Sequence, residues 1–354
     1  MGNAKKNLRA GIYDPYFHIL GGAERYVLEV ARCLVRDYEV TFFGVTKTQL
    51  QNASEKFGLP SHDFKTALWS MSRSNRLADL RKLDVFLYVT DGSLYLSPAK
   101  KNILLIQSPA HIPAKTLSNR IKLFSWRKIL VYSRFMADIV SNKIHRKPEI
   151  LFVPVEKPLT HVNKENIILS VGRFFPHLHN KKQLEMVGFF RELINEGVKN
   201  TTLYLVGSVD PGAEDYLQLV KTAAKNLPIK IITDASFEQL SKLYAKAKIY
   251  WHAAGFGEDI DKYPEKAEHF GVVTLEAMSY GAIPVVYYAG GQKELVVDGV
   301  NGFVWDTPEQ LVRKTKELLS DSPQMVKLAD AAVKWTQDFS QDRFCKLLYE
   351  IIEK

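Results

Sequence analysis

The stretch "EHFGVVTLEAMSYGAIPVVYY", residues 268–288, reads as the end of a loop, a short helix and a buried strand. Thr274 is available as the helix cap and Gly281 as its stop. The strand that follows is apolar almost without interruption, as in a parallel sheet covered on both faces. Glu268 and Glu276 stand on either side of an apolar run, and a core segment has no use for either. With Glu268 closing a loop and Glu276 in the first turn of the helix, both carboxylates can face one hydroxyl-rich guest, such as a sugar or a ribose. Gly271 lets the backbone between them come close to that guest. The same spacing also admits one capping and one solvated glutamate. A carboxylate pair would equally suit acid and base work on a glycosidic bond.

Working outward, the same strand-then-helix alternation fills the chain. In the first half, "LRAGIYD", "EVTFFGV", "DVFLYVT", "KNILLIQ" and "KILVYS" read as buried strands, and "AERYVLEVARCLVR" as a helix with Tyr26, Val27, Val30, Cys33 and Leu34 on one stripe. "EILFVPVEKPLTHVNKEN" reads as a strand leaving through a linker with Pro154 and Pro158. A second array follows: "NIILSVG", "TTLYLVG", "IKIIT", "KIYWHA" and "AIPVVYY", with helical patterns between them. From Thr307 onward the pattern is helical. The fold class is therefore α/β, with two doubly wound Rossmann-like domains facing across a cleft. The expected boundaries are 1–160 for the first domain, 161–335 for the second, and 336–354 for a helix packing back on the first domain.

Chemistry-bearing residues fall after the strands, where such sheets bind ligands. Gly21 and Gly22 open the first helix, and Gly290 and Gly291 open "QKELVV". A glycine-lined helix start can receive an anion, although the same glycines also serve a plain turn. After "NIILSVG" come Arg173, Lys181 and Lys182, which could neutralise a diphosphate without a metal or could form a basic surface loop. His177 and His179 lack a third and fourth ligand at a familiar spacing, so no metal is expected.

The segments "GGAER", "VGRFF…NKKQ", "EHFGVVTLEAMSYGAIPVV" and "GGQKELVVDGVNGFVW" lie in one order across most of the chain. Together they resemble glycosyltransferase family 4, whose members have the two-domain GT-B fold. The resemblance implies a retaining, metal-independent transfer of a hexose, of mannose or glucose type, from a GDP- or UDP-linked sugar, with no cofactor. It implies that Glu276 holds the ribose, Glu268 the donor sugar, and Arg173 with Lys182 the leaving diphosphate. Backbone amides of Phe270, Gly271, Val272 and Val273 would approach the sugar and phosphates, and Gly22 would let the N-terminal domain close on the diphosphate. The family often carries a histidine beyond the fourth N-terminal strand. Here "LLIQSPAHIP" offers Gln107 or His111. The loop from Arg173 is longer than usual, so Lys181 can replace Lys182.

Charge separates the halves. Residues 1–157 hold 25 Lys and Arg against 13 Asp and Glu, a balance of +12, and the remainder holds 23 against 26. No acid lies between Asp91 and Asp138. Within that interval "KTLSNRIKLFSWRK", 115–128, places Leu117, Ile121, Phe124 and Lys128 at helical spacing, with Trp126 nearby. A basic amphipathic segment with Trp suits an anionic membrane surface and a glycan or lipid-linked acceptor, while an ordinary helix packed on the sheet has the same pattern. The N-terminus has no signal-peptide stretch, no run approaches a membrane span, and Cys33 and Cys345 read as two reduced, buried thiols. The expected location is cytoplasmic, peripheral on a membrane. A nucleotide-sugar epimerase of the same architecture is the alternative enzyme. A basic nucleic-acid-binding protein has only the pI near 9.2 in its favour, with no recognised module. A glycosidase would leave the diphosphate-binding features without a task.

Overall fold

The computed structural model describes residues 8–60, 63–156, 162–177 and 180–353, so Pro158 and His179 lie outside it. The chain forms two compact units. One runs to Pro154 and takes in the chain again from Gln341, and the other is Val155–Ser340.

The first unit alternates β1 (Leu8–Tyr13), α1 (Gly22–Leu34), β2 (Tyr38–Phe43), α2 (Lys47–Phe57), β3 (Lys65–Ala67), α3 (Arg73–Leu80), β4 (Val85–Val89), β5 (Lys101–Leu105), α4 (Leu117–Leu123), β6 (Lys128–Val131), α5 (Arg134–Ile144) and β7 (Glu149–Ile150). Its strands are all parallel, in the order β3-β2-β1-β4-β5-β6-β7. The order reverses between β1 and β4. Every residue of β4, "VFLYV", is buried, which explains its unbroken apolar run.

The second unit repeats the plan with β8 (Glu165–Val171), α6 (Gln183–Asn195), β9 (Thr202–Val206), α7 (Glu214–Ala223), β10 (Ile229–Ile232), α8 (Phe237–Lys246), β11 (Ala247–His252), α9 (Val272–Ser279), β12 (Ile283–Tyr287), α10 (Gln292–Leu295), β13 (Phe303–Trp305), α11 (Pro308–Ser320) and α12 (Ser322–Thr336). The parallel order is β10-β9-β8-β11-β12-β13, with its reversal between β8 and β11. Trp251 and Trp305 are fully buried in this core, and the Trp251 indole donates to Thr315 Oγ1 at 3.0 Å. Lys164 ties two helix ends together: its ammonium donates to the carbonyls of Ala247 at 2.8 Å and Tyr280 at 2.7 Å.

The last helix, α13 (Gln341–Glu353), belongs to the first unit and packs on α1, with Phe344 edge-on to Tyr26 at 5.5 Å. Here the expectation of free thiols is corrected. Cys33 and Cys345 are joined in a disulfide, with Cα atoms 5.2 Å apart. Both side chains are apolar-facing, as expected, but the packing of α13 on α1 brings two positions 312 residues apart within bonding reach.

Two further expectations change. Thr274 does not cap α9. It is fully buried and accepts from Gln292 Nε2 at 2.9 Å, while Gly271, at φ 108°, is the N-cap. Glu276 therefore sits one turn further into the helix than the first. Trp126 is buried as well, with its indole donating to the Tyr95 carbonyl at 2.9 Å, and Lys128 begins β6, so the helix of the 115–128 segment covers Leu117–Leu123 alone. Among the described residues no helix is long and apolar enough to cross a membrane.

Candidate active site

The second unit gathers its charged residues after the two strands where the order reverses, the position such sheets reserve for ligands. Arg173 follows β8, and His252 ends β11. Lys181 crosses from the β8–α6 loop to Glu268, Nζ to Oε2 2.6 Å. The same carboxylate oxygen receives His252 Nε2 at 2.9 Å. Gly172 makes the crossing possible, because an added Cβ would lie 2.5 Å from Lys181 Cγ.

Burial pushes the Glu268 carboxyl up, but the Lys181 ammonium and the His252 ring together outweigh it and hold it well below the usual range. Burial also lowers His252, against the pull of Glu268. The ring is thus neutral, with its Nε2–H donating to Glu268 and its buried Nδ1 without a hydrogen-bond partner among the described residues.

The neighbouring lysine is placed otherwise. Lys182, in a left-handed conformation (φ 61°), sends its ammonium to Glu258 Oε1 at 2.7 Å, and Lys266 occupies the other oxygen of that carboxylate at 2.7 Å. Only 9% of the Lys182 side chain is exposed. Arg173 pairs with Asp210 at 2.8 Å in a more open position. Of the two lysines, Lys181 adjoins Glu268.

Glu276, half-buried on α9, accepts from the Tyr244 hydroxyl at 2.9 Å. Gly271 starts that helix close against Gln292, where a Cβ would approach Nε2 to 2.6 Å. Phe270 is buried, and Val272 and Val273 form the first residues of α9, whose amides have no intrahelical acceptor. Gly290 and Gly291 serve a close crossing of two backbones. A Cβ on Gly290 would strike the Glu268 carbonyl oxygen, and Gly291 N–H donates to that same oxygen at 2.7 Å. They precede a helix of only four residues. Gly290→Ala is expected to cost about 1–3 kcal/mol by forcing the Glu268 backbone aside, measurable by denaturant unfolding against wild type.

In the first unit, Gly21 N–H is taken by the Glu24 carboxylate at 2.5 Å, which occupies the first amide of the helix start. Gln107 donates to the Ala23 carbonyl at 3.4 Å. His111 is half-buried and stacks on Tyr16 with ring centres 5.1 Å apart. Burial lowers His111 below its usual range, opposed by Asp91. Asp14, just beyond β1, is buried: Oδ1 accepts from Tyr16 N–H at 2.9 Å, and Oδ2 has no partner among the described residues. Burial first, and the charge of Glu24 second, push its carboxyl up to about 8.

Sequence reasoning passed over His252, Glu258, Asp210, Tyr244 and Asp14. A histidine ending an otherwise apolar strand, "KIYWH", and an aspartate directly after "LRAGIY" were the available signals. Glu258 and Tyr244 had none, since only the fold brings them to Lys182 and Glu276. Among the described residues no cluster of three or more His, Cys, Asp or Glu is arranged to hold a metal ion.

Two doubly wound parallel-sheet units of this kind define the GT-B class of fold. Residues 155–335, just over half of the chain, match the family of glycosyl transferases group 1, and the chain belongs to that family. Its fold is that of the Anabaena protein HepE solved with UDP and glucose, at TM-score 0.72 over 98% of this chain and 100% of that one, with 16% identity. A GDP-Man:Man(3)GlcNAc(2)-PP-Dol alpha-1,2-mannosyltransferase of Dictyostelium discoideum is 27% identical over 199 residues, covering 54% of this chain and 37% of that protein. A glycogen synthase of Petrotoga mobilis is 30% identical over 139 residues, covering 39% of this chain and 25% of that protein. The match spans about a third or less of these relatives' own length.

Proposed function

We infer that the chain moves a hexose from a nucleotide-diphosphate sugar to a glycan or lipid-linked acceptor, as a retaining member of glycosyltransferase family 4 that needs no metal. The observation that carries this reading is the Lys181–Glu268–His252 cluster beyond β8 and β11, with Glu276 further along α9. A departing diphosphate develops negative charge, and fixed cations beside it lower the barrier. Lys181 and Arg173 fill that role in our reading, with Lys182 bracing the loop through Glu258. Arg173 can leave Asp210 at little cost, because a partly open ion pair is worth about 0–1 kcal/mol. Glu268, kept ionised by its two neighbours, would accept hydrogen bonds from donor-sugar hydroxyls, and Glu276 from the ribose. His111 would meet the sugar or acceptor in preference to Gln107, whose amide is turned to Ala23. The names of the relatives, mannosyltransferases and glycogen synthases, support a hexose, and the GDP-mannose of one relative beside the UDP of the HepE structure leaves the nucleotide open between GDP and UDP.

Thermal unfolding with GDP, UDP, ADP and their sugar conjugates tests this. A ligand present at about 100 times its dissociation constant stabilises by roughly 2.7 kcal/mol. The expected result is a selective rise with one nucleotide, unchanged by chelator. A rise with none would overturn the donor reading, and a rise abolished by chelator would overturn the metal-free one.

A further inference from the structure

The short helix α4 is held firmly at both ends and yet has no fully buried residue, with Leu123 resting half-buried against the core. Thr116 Oγ1 caps its start by accepting from Asn119 N–H at 3.2 Å. Arg146 grips its far end by donating to the carbonyls of Leu123 at 3.0 Å and Arg127 at 2.9 Å. A helix of seven residues does not persist by its own propensity, so the surrounding structure fixes it in place. An ordinary surface helix turns its apolar stripe inward. Here the stripe points to solvent, with Leu117 75%, Ile121 54% and Phe124 86% exposed.

A second segment of the same unit does likewise. Between β3 and α3, Leu68 and Met71 are each 90% exposed. The two segments adjoin one aromatic cluster. Trp69 lies 5.6 Å from Tyr95, and Tyr95 lies 5.5 Å from Trp126, two residues past Phe124. Arg76 packs over Trp69 and Tyr95 at 5.4 and 5.3 Å. The surroundings are cationic. Arg73, Lys115, Arg120, Lys122 and Arg127 have no carboxylate partner among the described residues, and a crevice beside α4 is rimmed by Lys115, Arg120, Lys143 and His145.

We propose that α4 and the β3–α3 loop form a docking surface for an anionic lipid bilayer, with the apolar tips entering the acyl boundary and the cations resting on headgroup phosphates. Charge complementarity selects this occupant. A second copy of the chain would set cations against cations, which opposes association. A nucleic-acid backbone would use the cations but leave five protruding apolar side chains without a task. A bilayer takes both, and being fluid it can receive tips on two separate segments. The inference does not rest on the donor reading.

The test is sedimentation of the full chain with vesicles of phosphatidylcholine, alone or with about a third phosphatidylglycerol. Wild type is expected to bind the anionic vesicles, to release them at high salt, and to ignore the neutral ones. Leu117→Ser/Phe124→Ser and Leu68→Ser/Met71→Ser are each expected to weaken binding at least about tenfold. Each cation near an anionic surface adds roughly fivefold, so Lys115→Gln/Arg120→Gln/Lys122→Gln should weaken it on the order of a hundredfold. These side chains are exposed, apart from the half-buried Lys122, so circular dichroism and nucleotide-induced stabilisation should match wild type in every variant. Wild-type protein that ignores anionic vesicles at low salt overturns the proposal, as do variants that bind like wild type. Two other results would also overturn it: a solution dimer that Leu117→Ser/Phe124→Ser dissolves, or salt-dependent nucleic-acid binding in place of vesicle binding.

Discussion

Lys181→Met is expected to destabilise the second unit by about 3–5 kcal/mol, because it leaves the Glu268 carboxylate in a largely enclosed place with only a neutral imidazole for company. The double variant Lys181→Met/Glu268→Gln should recover much of that loss, since no buried charge is then stranded. Lys182→Met should cost less, about 1–2 kcal/mol, because Glu258 keeps Lys266 on its other oxygen. Denaturant unfolding of the four proteins checks this, and equal losses in the two single variants would refute it. The histidine reports on the same contact. The charge of Lys181 helps hold His252 down, so its titration should move up in Lys181→Met, as read by NMR. A histidine depressed below its ordinary 6.5 favours the fold above that pH and opposes it as pH falls. Lys181→Met should therefore soften the acid limb below pH 6.5. If both lysine variants also show equally small losses of nucleotide-induced stabilisation, the diphosphate role is excluded.

Asp14→Asn is expected to stabilise the first unit, by an amount that grows with pH. Burial and the charge of Glu24 push the wild-type carboxyl up to about 8 from an ordinary 3.8. A raised acid favours the folded state while protonated. That contribution is whole below 3.8, is lost progressively as pH climbs to about 8, and changes no further above. Asparagine keeps the acceptor for Tyr16 N–H and never ionises beside Glu24. The gain should be small near pH 4 and on the order of a few kcal/mol at pH 8 and above, at a limiting slope of about 1.4 kcal/mol per pH unit. Paired unfolding curves across pH 4–9 test it, and a difference constant with pH would refute the buried, protonated aspartate.

The candidate site was legible as far as local pattern reaches. Glu268, Gly271 and Glu276 declare themselves because a loop end, a helix start and a buried strand follow one another within a few residues. The choice between Lys181 and Lys182 was not legible. Adjacent residues with the same charge differ only in backbone direction, and the left-handed turn at Lys182 sends one ammonium to Glu268 and the other to Glu258. Gly290 and Gly291 read as an anion-binding helix start, and their close backbone crossing with Glu268 was not legible, because a glycine needed for such a crossing and one needed for a phosphate look alike in sequence. The strands β3 and β13 escaped notice for a related reason. Three-residue edge strands carry too few side chains to set a period.

By itself the sequence determined the alternation of buried strands and amphipathic helices, hence two parallel-sheet units, and the charge imbalance between the halves. Those features are local or additive: periodicity and composition do not depend on which residues meet. Only the tertiary structure decided which residues did meet. It joined Cys33 to Cys345 across 312 residues of chain, buried Trp126 while leaving Phe124 in solvent, and set His252 against Glu268 and Lys181. The reason is physical. Pairing and burial at a given side chain depend on contacts between strands and helices far apart in sequence, and no window along the chain contains both partners.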